Sequence, residues 1–229
     1  YASAIKLLQE LVAPLDGAAD PPSLVHAVSY QTLASLYRRL GQPARALPLL
    51  KKAQRLYEDS FGPDDLTAAL VRVEFGLLFA AEGSNQLAKT YLREARARLV
   101  KLLGADHPQA ASAGNNLAVV CLARGDVDEA AVLLEDAVQT LRRAGDPSER
   151  ELGAYLTNMA EVKRRQGKLQ DAEADLKEAL RLFEQALPPD SPELLRVLEQ
   201  YAAALKARRG AGAQDVLKRV KALRTHLRR

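Results

Sequence analysis

The chain has 229 residues and a formal net charge of +4, with 48% hydrophobic and 5% aromatic residues, one Cys and no Trp. A composition led by Ala, Leu, Arg, Glu, Lys and Gln, without alternating β-branched runs, excludes a sheet and reads as helix almost throughout. The lone Cys121 excludes an internal disulfide, no Asn-x-Ser/Thr acceptor occurs, and no run approaches the ~18–20 apolar residues that span a bilayer; an intracellular setting, cytoplasmic or an organelle interior, is expected.

From the N-terminus, residues 1–14 read as a helix, with Ala4 standing 42 residues before Ala46. Five helix pairs follow. First helices are expected at about 24–40, 65–81, 107–123, 149–165 and 191–208, and second helices at about 43–59, 85–101, 127–143, 169–186 and 213–227. The period carries this reading. Gly41, Gly83, Gly125 and Gly167 recur every 42 residues; each is followed five residues later by Ala46, Ala88, Ala130 or Ala172, and twelve later by Ala53, Ala95, Ala137 or Ala179. Before each glycine a large residue sits beside a small one: Leu33-Ala34, Phe75-Gly76, Leu117-Ala118, Met159-Ala160, and again Tyr201-Ala202. The linkers Gly62-Pro63-Asp64-Asp65, Gly104-Ala105-Asp106-His107-Pro108, Gly145-Asp146-Pro147-Ser148 and Pro188-Pro189-Asp190-Ser191-Pro192 hold helix stops and caps, and Ser148 with Glu151 reads as a capping box.

Neither helix of such a pair can bury its apolar stripe alone, so stacked pairs share a core. The expected organisation is a single all-α solenoid over residues 1–229. It comprises a half repeat and linker (1–22), then repeats at 23–62, 63–104, 105–146 and 147–188, and a last repeat at 189–229 that ends in a basic capping helix. A second helix without its first, in a chain opening on Tyr1, reads as a fragment or processed form.

The order of large/small pair, turn glycine and two alanines resembles the tetratricopeptide repeat. The 42-residue period, Leu103 to Pro108, and the following Asn115-Asn116-Leu117-Ala118 resemble its kinesin-light-chain type. That resemblance implies a right-handed superhelix of antiparallel helix pairs, with first helices lining a concave groove that holds a partner peptide or helix. Its groove positions fall on Gln31, Thr32, Ser35, Arg38 and Arg39; on Glu74; on Ser112, Asn115, Asn116 and Val119; on Thr157, Asn158, Glu161, Arg164 and Arg165; and on Arg196, Gln200 and Lys206. In the family the asparagine before the Leu-Ala pair commonly bonds a peptide backbone; Asn116 and Asn158 match it, whereas Thr32, Glu74 and Gln200 depart from it. The arginine pairs Arg38/Arg39 and Arg164/Arg165 suit an acidic peptide, or simply complement helix C-termini.

Chemistry has little support. His26, His107 and His226 are scattered, Cys121 falls in a core column, His107 reads as a helix start, and no metal-ligand, cofactor or phosphate-loop spacing occurs, so no enzyme is expected. Lys163 occupies the column filled by Tyr37, Phe79, Cys121 and Leu205, so its stem packs while its ammonium reaches water or a carboxylate. Residues 201–229 hold nine Lys/Arg and one acid, Asp215, which leaves the rest of the chain net acidic. The final helix, with Lys218, Arg219, Lys221, Arg224, Arg228 and Arg229, reads as a solubilising cap. Two alternatives to groove binding stand: an assembly scaffold or homo-oligomer working through the convex face or edges, and contact with nucleic acid or a membrane surface through that basic helix, for which stacking aromatics are missing.

Overall fold

The computed structural model describes residues 2–12, 24–144, 148–208 and 212–227, and there every regular element is a helix. In chain order these are α1 (Ala2–Val12), α2 (Leu24–Arg39), α3 (Pro43–Phe61), α4 (Leu66–Ala81), α5 (Asn85–Leu103), α6 (Pro108–Arg124), α7 (Val127–Arg143), α8 (Glu149–Arg165), α9 (Leu169–Ala186), α10 (Pro192–Ala207) and α11 (Ala213–His226). Gly145, Asp146, Pro147, Gly210, Arg228, Arg229 and residues 13–23 lie outside the described residues, as does the side chain of Ala4.

The glycine at each turn is a backbone requirement. Gly125, which separates α6 from α7, has φ 86°, in the left-handed region where a Cβ is strained. The linkers stop helices differently. Gly104 adopts φ 93°, ψ 159°, a conformation open essentially to glycine alone, and its N–H closes on the Val100 carbonyl. Because the glycine itself is the stop, α3 and α5 run two residues past the expected 59 and 101, to Phe61 and Leu103. Asp65, Ser148 and Ser191 then cap α4, α8 and α10 by accepting from the N–H groups of Thr67, Glu151 and Leu194. His107 does the same for α6, its Nδ1 accepting from Gln109 N at 3.2 Å.

The helices form two compact units, one up to Val120 and one from Cys121. In the first, α2 packs against α3 and α4 against α5, with α1 on α2 and α3 on α4. Its core joins Ala27, Tyr30, Leu33 and Tyr37 of α2 to Leu50 and Tyr57 of α3 and to Val71, Phe75 and Leu78 of α4. Tyr37 also ties α1 in: its hydroxyl accepts from Gln9 Nε2 at 2.8 Å and from Arg45 Nη2 at 2.6 Å. In the second unit α8 packs against α9 and α10 against α11, with α7 on α8 and α9 on α10. All eight periodic alanines are at most 1% exposed. They stand where two helices close on each other, so the residue that repeats most faithfully is the one with no side chain to spare. α11 departs from this pattern: it starts 44 residues after α9, not 42, and buries only Val220.

Candidate functional site: the first-helix faces

In the first unit α2 turns one strip of its surface to solvent. Leu24, Val25 and Val28 are 40, 60 and 54% exposed, and Thr32 lies one turn further along. The Thr32 hydroxyl donates to the Val28 carbonyl at 2.8 Å, so the strip presents mainly aliphatic surface. Gln31 is held by the core, accepting from the Tyr57 hydroxyl at 3.0 Å, and Ser35 is half-buried. Arg38 faces Glu74 of α4, Nε to Oε2 3.7 Å, both sides being about one-fifth exposed; Arg39 is exposed beside them. Burial pushes the Glu74 carboxyl above its ordinary value, and Arg38 and Arg39 pull against that rise without cancelling it. On α6, Ser112, Asn115 and Asn116 are half-buried and Val119 is 43% exposed; Asn115 is already engaged within the protein.

In the second unit Glu161 is the organising residue of α8. It accepts from Arg164 through both oxygens, at 2.7 and 2.8 Å, and from Arg165 Nε at 2.7 Å. Those bonds, Arg164's first, hold its carboxyl below the usual range. Arg165 goes on to donate to the Leu122 carbonyl at 2.6 Å, an acceptor in the last turn of α6 that also receives the Gly125 N–H at 3.1 Å. Thr157 is 1% exposed and donates to the Gly153 carbonyl at 2.7 Å; it belongs to the core and cannot meet a ligand as the projected groove position required. Asn158 is half-buried and engaged within the protein. On α10, Arg196 and Lys206 are exposed, while Gln200 joins Glu161 and Arg164 around a small cleft of about 100 Å³ floored by Leu176 and Ala204.

The arrangement therefore brings together Arg38, Arg39 and Glu74 in one unit and Glu161, Arg164 and Gln200 in the other. The model of the tetratricopeptide repeat matches residues 24–99, 66–143 and 151–225, most of the chain. The chain belongs to the tetratricopeptide repeat family. Solved structures of the same fold include kinesin-light-chain-type TPR-like repeats from Podosopora anserina, at 24% identity and TM-score 0.70, over 91% of this chain and all of that one. BtubC (BKLC) from P. vanneervenii matches at 16% identity and TM-score 0.75, over 99% of this chain and 89% of its own. The APC/C hetero-tetramer Cut9-Hcn1 matches at 18% and 0.68, over 86% of this chain and 33% of that one. No curated protein matches the sequence.

Outside the first-helix faces, the last tetratricopeptide repeat neutralises much of its basic helix. Arg219 bonds Glu184 of α9, Arg224 bonds Glu199 of α10, Lys218 pairs with Asp215 at 3.0 Å, and Arg208 bonds Glu173. Around the turn between α6 and α7, Cys121 of α6, Asp126, and Glu129 of α7 bring their donor atoms within 4.8 Å of one another, the one such group among the described residues; Cys121 is fully buried and Arg124 holds Asp126 at 3.2 Å. No helix among the described residues is long and apolar enough to cross a membrane. Sequence reading passed over the strip of Leu24, Val25 and Val28, although exposed aliphatics at i, i+1 and i+4 on a first helix are a legible signal.

Proposed function

We propose that this tetratricopeptide repeat chain is a non-enzymatic protein-interaction scaffold whose first-helix face receives a segment of a partner protein. The observation that carries the reading is the exposed aliphatic strip of α2, with Leu24, Val25 and Val28 all at least 40% exposed and Val119 similarly exposed on α6. Contiguous apolar surface of that kind is what recognition faces offer. Asn116 adds a carboxamide able to donate to and accept from a peptide unit. Arg38, Arg164 and Arg165 are already met by Glu74 and Glu161, which favours an aliphatic segment over an acidic one. Solved relatives in fold include a protein complex, the Cut9-Hcn1 hetero-tetramer, in keeping with such a role.

The pairing of α11 with Glu184, Glu199 and Asp215 weighs against contact with nucleic acid or lipid through the basic helix. A phosphate-binding surface would also make binding fall steeply with salt. The test is a pull-down from native lysate at two salt concentrations with the wild-type chain beside Val25→Ser/Val28→Ser and Asn116→Ala/Asn158→Ala variants, each matched for helicity and melting. Partners that survive high salt but are lost from both variants support the first-helix face. Partner sets that are unchanged by either variant refute it and move the interaction to the second-helix face or the edges.

A further inference from the structure

In the second repeat Phe75, Phe79 and Tyr91 form a ring cluster, with centroids 6.4, 5.6 and 5.1 Å apart, where α4 meets α5. Two periods later, 84 residues on, the same three positions hold Met159, Lys163 and Asp175. The first repeat has Leu33, Tyr37 and Leu49 there, and the third has Leu117, Cys121 and Leu133. Only the fourth repeat puts a charged pair into a place its relatives fill with apolar side chains. What stands in place of the rings is a cleft of about 350 Å³ between α7 and α9, floored by α8. Met159, Lys163 and Asp175 all line it, with Val138, Leu156 and Val162 as its apolar part and Glu135, Arg142 and Asp171 among its polar part.

The ion pair itself does not account for the cleft. Lys163 Nζ lies 2.6 Å from Asp175 Oδ2, with the two side chains 27 and 13% exposed and Oδ2 itself shut off from solvent. Drawing two charges out of water costs more than a well-packed ring pair would, so the substitution is not explained by stability. Departures of this sort from a local rule are expected where function requires them.

We propose that this cleft receives a tyrosine side chain of a partner protein, its ring lodged where the second repeat lodges its own rings and its hydroxyl donating to the Asp175 carboxylate. The residues suit each part of that ligand. Lys163 supplies a cation to the ring face, Met159 a polarisable sulfur to the ring edge, and Asp175 a charge-assisted acceptor to the phenol. The site uses Met159 and Lys163 of α8 and Asp175 of α9, none of which is among the first-helix-face residues described above, so each reading can fail without the other.

Met159 is the only methionine in the chain, so its ¹³C-methyl signal is a single resonance placed inside the cleft. N-acetyl-tyrosinamide titrated into the whole protein should move that signal upfield and saturate in the millimolar range. N-acetyl-phenylalaninamide, lacking the hydroxyl, should bind about tenfold more weakly, the worth of one hydrogen bond to a charged group. Lys163→Phe/Asp175→Tyr, which rebuilds the ring cluster, should melt no lower than wild type and abolish the shift. Asp175→Asn, which keeps the shape, should retain the shift with weakened affinity. No saturable shift in the wild-type protein, equal affinity for the two amides, or a shift that persists in the ring-rebuilding variant would each overturn the proposal.

Discussion

Glu74 and Glu161 are both glutamates facing arginines, and their opposite environments lead to opposite expectations. Burial dominates at Glu74, so its carboxyl titrates above the ordinary 4.5. A raised folded value means that its contribution is most favourable below the unfolded value and is lost as pH rises through the folded one. At neutral pH its charge therefore costs stability, and Glu74→Gln should stabilise the fold by on the order of 0.5 kcal/mol, seen as a slightly higher melting temperature, with the gain vanishing below about pH 4.5. At Glu161 the bonds from Arg164 and Arg165 outweigh burial and lower the value. Its contribution is present above the unfolded value and is lost as pH falls through the folded one. Glu161→Gln should cost about 0.5–1 kcal/mol at pH 7, less at high salt, and nothing in acid. Thermal melts of both variants across pH 3–8 test the pair of signs. The Glu161 cluster was legible in the sequence, since Glu161 stands three and four residues before Arg164 and Arg165 on one helix face. The Arg38–Glu74 contact was not, because it joins side chains of different helices whose approach no local pattern records.

At the scale of the helix pair, α4 and α5 close more tightly than their counterparts. A Cβ on Gly76 would lie 2.5 Å from Leu92 Cγ and 3.3 Å from the Leu92 backbone nitrogen. The other repeats place Ala34, Ala118 and Ala160 at this position, with Leu50, Leu134 and Leu176 at the position of Leu92. The large/small pairing thus shows in sequence, but how near Leu92 comes to Gly76 does not, since it is set between two helices rather than along one. Alanine has the better helix propensity by about 1 kcal/mol, whereas forcing a methyl against a buried leucine and backbone costs about 1–3 kcal/mol. The clash wins: Gly76→Ala should destabilise by about 1 kcal/mol in urea unfolding, although the same change at an exposed helical glycine would stabilise. An equal or higher midpoint would mean that the hairpin can open without loss.

Across the whole molecule the period, the all-helical class and nearly every helix boundary could be read from the sequence. The turn glycines answer a backbone requirement at φ 68–86° and the alanines a contact requirement, and both act within a single hairpin. Which charges remain available is settled between hairpins, and there the reading fell short. The basic last helix read as a solubilising cap; in the fold Glu184 and Glu199 meet its Arg219 and Arg224, and Glu173 meets Arg208 at the end of α10. Surface pairs of this kind add little stability each, but they remove positive field from the surface.

The chain meets itself chiefly within one hairpin or with the next: α2 with α3, α4 with α5, α8 with α9. A nascent chain leaving the ribosome could therefore complete its first hairpins while later ones are still being translated. Closing loops this short is fast, and no distant strand need be awaited. Synthesis order then becomes folding order, and a slow stretch of translation within α9 would leave α8 without the helix it packs against, its apolar side exposed to chaperones for as long as the pause lasts.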